Sequence, residues 1–75
     1  MAMEPYNTSE LDVAAYLMAL GGSRIGIDKS DRRALFLFEL TQEQMDAIPH
    51  FYDGTGQVRA LPFYNALQKL KREAA

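Results

Sequence analysis

Apolar residues in this chain follow three rhythms. From Glu10 to Leu20 they are almost continuous, with nine of the eleven residues apolar. Asn7-Thr8-Ser9 precedes the run, Ser9 and Asp12 have the spacing of a capping box, and Gly21-Gly22 follows, so a helix is predicted here. Such a helix has no wide polar face and is expected to be nearly enveloped or to lie in an interface. Ile25 and Ile27 then alternate with Arg24, Gly26 and Asp28, the period of a half-buried strand. The run Arg33 to Leu40 is a second strand that is apolar on both sides. Ala34, Phe36, Phe38 and Leu40 line one face, and Leu35 and Leu37 line the other between Arg33 and Glu39. The polar segment Asp28 to Arg32 joins the two strands as a β-hairpin whose connection exceeds two residues, since no Asn-Gly or Asp-Gly pair is present. The third rhythm is helical: Phe63, Ala66, Leu67 and Leu70 recur at i, i+3, i+4 and i+7, with Pro62 at the favoured first helical position.

Between hairpin and last helix, Thr41-Gln42-Glu43-Gln44 has the form of a capping box, with Met45 and Ile48 as an apolar stripe behind it. Pro49 disfavours helix at Ile48, which predicts a short helix with Phe51 and Tyr52 in the following turn. Asp53 to Gly56 reads as a loop, and Gln57-Val58-Arg59 as the place for a short third strand. Met1 to Tyr6, which contains Pro5, is either a frayed end or a brief edge strand. The expected fold is α+β: one domain over residues 1–75, with 1–6 and 73–75 frayed, in the order helix, antiparallel β-hairpin, short helix, helix. Helices on both sides of the hairpin would cover Leu35 and Leu37 internally; otherwise a second molecule must cover them.

Composition narrows the function classes. With 75 residues and 48% hydrophobic content there is room for one core and no separate regulatory unit. The absence of cysteine removes disulfides, thiolate nucleophiles and cysteine zinc sites together. A net charge of −2 and a pI near 5.2 are a poor footprint for non-specific binding to a polyanion. The longest apolar stretch is far short of the roughly 20 residues that span a bilayer, and the first residues lack a basic region followed by an apolar one. A soluble, cytoplasmic protein without membrane association is expected.

Candidate chemistry is sparse. His50 and Asp53 stand three apart, a spacing that allows two metal ligands on one turn, but His50 is the only histidine and no further ligands accompany it. Gly54-Thr55-Gly56 lacks the lysine and spaced glycines of a phosphate loop and reads as a turn. Phe36, Phe38, Phe51 and Phe63 are core material, because a ligand pocket of about 300 Å³ would hollow out a domain of this size. Two basic groups, Arg32 and Arg33 with Lys29 at the hairpin tip and Lys69, Lys71 and Arg72 near the end, would grip phosphates if brought together, with Tyr52 or Tyr64 stacking on bases. No catalytic residue, cofactor or metal site is assigned, and no enzyme is expected.

The pattern Leu11-Asp12-Val13-Ala14-Ala15-Tyr16-Leu17-Met18-Ala19-Leu20-Gly21, the strand Ala34 to Glu39, the turn Phe51 to Gly54 and the tail Phe63 to Lys71 resemble a small bacterial and phage domain family of unknown function. The likeness spans residues 6–71 and rests on core positions. It implies a domain outline and carries no activity or cofactor with it. The functional expectation is therefore a protein-interaction module, an adaptor or inhibitor of phage or mobile-element type, acting by stoichiometric binding to a protein partner or to itself through Tyr16, Leu35 and Leu37. The alternative is a nucleic-acid-associated module that uses Arg32, Arg33, Lys69, Lys71 and Arg72.

Overall fold

Strand β3 (Leu35–Leu40) occupies the middle of a three-stranded antiparallel sheet, with β1 (Glu4–Thr8) on one side and β2 (Ser23–Asp28) on the other. The computed structural model describes residues 3–30 and 33–74. The third strand is thus the N-terminal segment, not residues 57–59, which are irregular coil. Pro5 is compatible with β1 because an edge strand can spare one backbone donor. In β1, Tyr6 stands opposite Phe38, Asn7 opposite Leu37 and Thr8 opposite Phe36.

In β2 the simple alternation fails. Arg24 pairs with Phe38 but Gly26 pairs with Leu37, so Ile25 is the extra residue of a β-bulge. Ile25 is 58% exposed instead of half-buried, while Ile27, beyond the bulge, packs against the core. The bulge also lets Arg24 share a sheet face with Phe38, where it pairs with Glu73 at 2.6 Å.

Helix α1 (Leu11–Ala19) is the centre of the molecule. Val13, Ala14, Ala15 and Leu17 are fully buried and Tyr16 is 4% exposed, so five consecutive residues are covered on every side. One side meets the sheet through Phe36, Phe38 and Leu40, and others meet α2 (Gln42–Asp53) and α3 (Ala60–Ala74). Ala14 and Ala15 keep the helix thin, so neighbours approach closely. The start of α1 differs from the expected Ser9/Asp12 box. Thr8 Oγ1 accepts from the Glu10 N–H at 3.1 Å, Asp12 Oδ1 accepts from the Val13 N–H at 3.0 Å, and Glu10 is the N-cap without a side-chain cap bond. At its end, Gly21 has φ +91° and donates to the Met18 carbonyl, while Gly22 donates to the Leu17 carbonyl at 2.9 Å, a Schellman motif. A Cβ on Gly22 would stand 2.8 Å from Leu40 Cδ2 and 2.9 Å from the Leu17 oxygen.

The capping box of α2 forms as expected: Thr41 Oγ1 accepts from the Gln44 N–H and Gln44 Oε1 from the Thr41 N–H. The helix does not stop at Pro49, however, and reaches Asp53. The proline removes one backbone donor and lies on the exposed side of the helix. The turn beyond it is anchored by Phe51, whose ring lies 5.2 Å from that of Tyr16, and closed by Gly54 at φ +82°. Helix α3 starts two residues before Pro62, which sits harmlessly in its first turn, and buries Ala66 and Leu70 against α1 with Phe63 and Leu67 beside them.

Candidate protein interface

Phe36, Phe38 and Leu40 point to the helical side of the sheet and are at most 1% exposed. Leu35 and Leu37 point to the other side, are only half-buried, and lie outside the core cluster. Among the described residues no helix packs on that face, so helices on both sides of the sheet are ruled out. The open face is small and ordered. Leu37 is flanked by Asn7 and Gly26, Glu39 by Pro5 and Ser23, and Leu35 by Asp28. Arg33 continues the row beyond Leu35, and together with Ser9, Asp28 and Ser30 these two line a shallow cleft of about 210 Å³. Hydrogen bonds from Ser30 engage Asp28 there and hold its carboxyl below the usual carboxylate range.

Tyr16, expected on an interface, is a core residue. Its hydroxyl donates to the Ala47 carbonyl at 3.2 Å, its ring packs on Phe51, and Gly56 lies so close that an added Cβ would stand 2.7 Å from the hydroxyl oxygen. A continuous apolar helix therefore signalled a central position here, not a docking surface. Of the three residues expected at an interface, Leu35 and Leu37 keep solvent-accessible surface.

The two basic groups are tied to different ends of β2. Arg24, near its start, holds Glu73 in the last turn of α3, next to Lys71 and Arg72. The hairpin tip leaves from Asp28, about 13 Å further along the strand. Arg33, Lys69, Lys71 and Arg72 are exposed, whereas Arg32 lies outside the described residues. The ion pair itself is half-sheltered, with side chains 18% and 29% exposed, and Glu73 Oε2 has no hydrogen-bond partner.

His50 and Asp53 do approach each other, at 3.9 Å, through Thr55. The Thr55 hydroxyl donates to Asp53 Oδ1 at 2.5 Å and contacts His50 Nδ1 at 2.9 Å. Hydrogen bonds from Thr55, side chain first and backbone second, lower the Asp53 pKa. With the threonine proton committed to a carboxylate, the cluster acts as a closure for the end of α2. The described residues contain no group of three or more potential metal ligands. A second polar contact, not foreseen from the sequence, joins Tyr52 to Glu10 across the α1–α2 junction. That hydrogen bond pushes the Tyr52 pKa up to about 12, with burial and the Glu10 charge adding to it. Tyr6 nearby is raised by burial and by the same charge. A cleft of about 350 Å³ between Leu20 and the first turns of α2 is lined by Thr41, Glu43, Gln44 and Ala47 and carries no reactive constellation.

No helix of the described residues is long and apolar enough to cross a membrane. No curated protein and no solved structure matches the chain. A domain of unknown function, DUF5659, matches residues 3–75. A match over nearly the whole length places it: the chain belongs to the DUF5659 family.

Proposed function

We propose that this domain is a protein-interaction module that works by stoichiometric binding, as an adaptor or inhibitor, with the open face of the sheet as its contact surface. The observation that carries the reading is the placement of Leu35 and Leu37 on the central strand, outside the core, on a face that no helix covers among the described residues. Two leucines at the middle of a sheet face, rimmed by Asn7, Ser23 and Glu39, fit a small contact with an apolar centre and polar rim. The reading assigns no catalytic role and a cytoplasmic setting in a bacterial or phage context. A nucleic-acid role gains little from the geometry, because the α3 cations and the hairpin cations are held at different ends of β2.

The test is affinity purification of the tagged protein from its native host, with wild type and Leu37→Glu run in parallel and bound proteins identified by mass spectrometry. A partner retained by wild type and lost by a Leu37→Glu variant with unchanged circular dichroism supports the reading. A partner held equally by both, or bound nucleic acid released by moderate salt and by charge reversal at Lys69 and Arg72, overturns it.

A further inference from the structure

We propose that two copies of this chain associate face to face through their open sheets, with β3 of one lying antiparallel over β3 of the other and Arg33 of each copy facing Glu39 of its counterpart. The inference rests on the reading of that face as the contact surface and names its occupant. Along the open face of β3 the order is Leu35, Leu37, Glu39, and Arg33, in the bend two residues before the strand, continues the row at the Leu35 end, where the two line one cleft. This row is antisymmetric about Phe36: a cation at one end, an anion at the other, and two leucines between.

A two-fold axis lying between the sheets and across the strands at Phe36 sets Leu35 on Leu37 and Arg33 on Glu39, twice over. Other arrangements do worse. A two-fold axis along the strand places Arg33 on Arg33 and Glu39 on Glu39, and like charges in register are repulsive. An axis centred on Leu37 sets Leu35 against Glu39 and buries a carboxylate on a leucine. The favoured register also brings Asp28 over Gly26, which has no side chain to obstruct it. Isologous pairing of this kind closes as a dimer, and aligned sheets pack about 10 Å apart at roughly 30°, within reach of an arginine at the rim.

The same geometry sets the strength. Three strands at about 4.8 Å by seven residues at about 3.3 Å make a footprint of roughly 300 Å². A standard interface covers about 800 Å² per partner, so the dimer is weak and transient.

Sedimentation velocity on the full chain between about 10 µM and 1 mM covers the range in which a weak dimer forms. The expected result is a monomer–dimer equilibrium in wild type, weakened about tenfold or more by Arg33→Glu and by Glu39→Arg alone. The double variant Arg33→Glu/Glu39→Arg should recover wild-type association. Circular dichroism and denaturation midpoints confirm that all three variants stay folded, which is expected because both positions are exposed. Wild type that stays monomeric throughout overturns the dimer, as do single variants that associate as wild type does. A double variant that fails to recover overturns the antiparallel register. If wild type is monomeric yet loses a host protein on Leu37→Glu, this inference falls and the proposed function stands. If it dimerises as described and no host protein depends on Leu37, the reverse holds.

Discussion

Helix α1 and strand β3 are the two segments of this chain that are apolar in every direction, and the fold treats them oppositely. Around α1 there are three neighbours: the sheet, α2 and α3. Together they bury every residue from Val13 to Leu17. Strand β3 has neighbours in its own plane on both edges and helices above it, but nothing below among the described residues, so Leu35 and Leu37 stay half-buried. What separates the two cases is geometry. A cylinder about 10 Å across can be ringed by a few elements, whereas covering both faces of a sheet needs an extra layer that 75 residues do not supply.

The sharpest way to break this comparison is a matched pair of truncations. Leu17→Ala removes fully buried atoms and should cost about 2–5 kcal/mol, whereas Leu37→Ala should cost less than about 1 kcal/mol, as read by urea denaturation of dilute protein. Equal costs would mean that the two leucines share one environment. Next in size is Gly22→Ala, expected to cost about 1–3 kcal/mol because the new methyl meets the Leu17 carbonyl as well as the Leu40 side chain. A thermal midpoint unchanged by that substitution would contradict the close packing at the end of α1.

Arg24→Ala strips Glu73 of its ion-pair partner. Because both side chains keep some solvent contact, the loss should be about 1–2 kcal/mol by denaturant titration, and adding Glu73→Gln to Arg24→Ala should recover part of it. A smaller effect concerns Tyr52. Its hydroxyl donates to Glu10, so the folded state favours the protonated phenol and raises the pKa from 10.0 to about 12. That contribution is complete below pH 10 and fades as pH rises through the folded value. Tyrosinate absorbance should therefore show a late-titrating tyrosine that disappears in Tyr52→Phe, and a titration indifferent to that change would refute the contact.

Local chemistry was legible in the sequence and long-range pairing was not. Thr41 and Gln44 form their capping box because both partners lie within one turn. The stripe Phe63, Ala66, Leu67 and Leu70 meets α1 because a helix shows its apolar face regardless of what covers it. Glu4–Thr8 looked weak as a strand, since Pro5 and Asn7 are poor strand formers; its stability comes from pairing with a strand some thirty residues away. The bulge at Ile25 was hidden for a similar reason: it is a relation between two strands, and a perfect alternation in one of them conceals it. Pro49 was read as a stop because its missing donor is local, while the Phe51–Tyr16 contact that carries the helix past it is tertiary. At the candidate surface, both leucines were visible from strand parity, and Tyr16 was misplaced because periodicity cannot show how many neighbours a helix will have.

The account turns on one face of the molecule being open and used while the other apolar segment is closed. Methyl NMR spectra recorded over a dilution series test this directly, since they follow both regions in the same sample. The expected result is that the Leu35 and Leu37 methyl resonances move with concentration while those of Val13 and Leu17 stay fixed. Movement at Val13 and Leu17 would contradict the closed helix, and no movement at Leu35 and Leu37 at any concentration would contradict the use of the open face by a second copy.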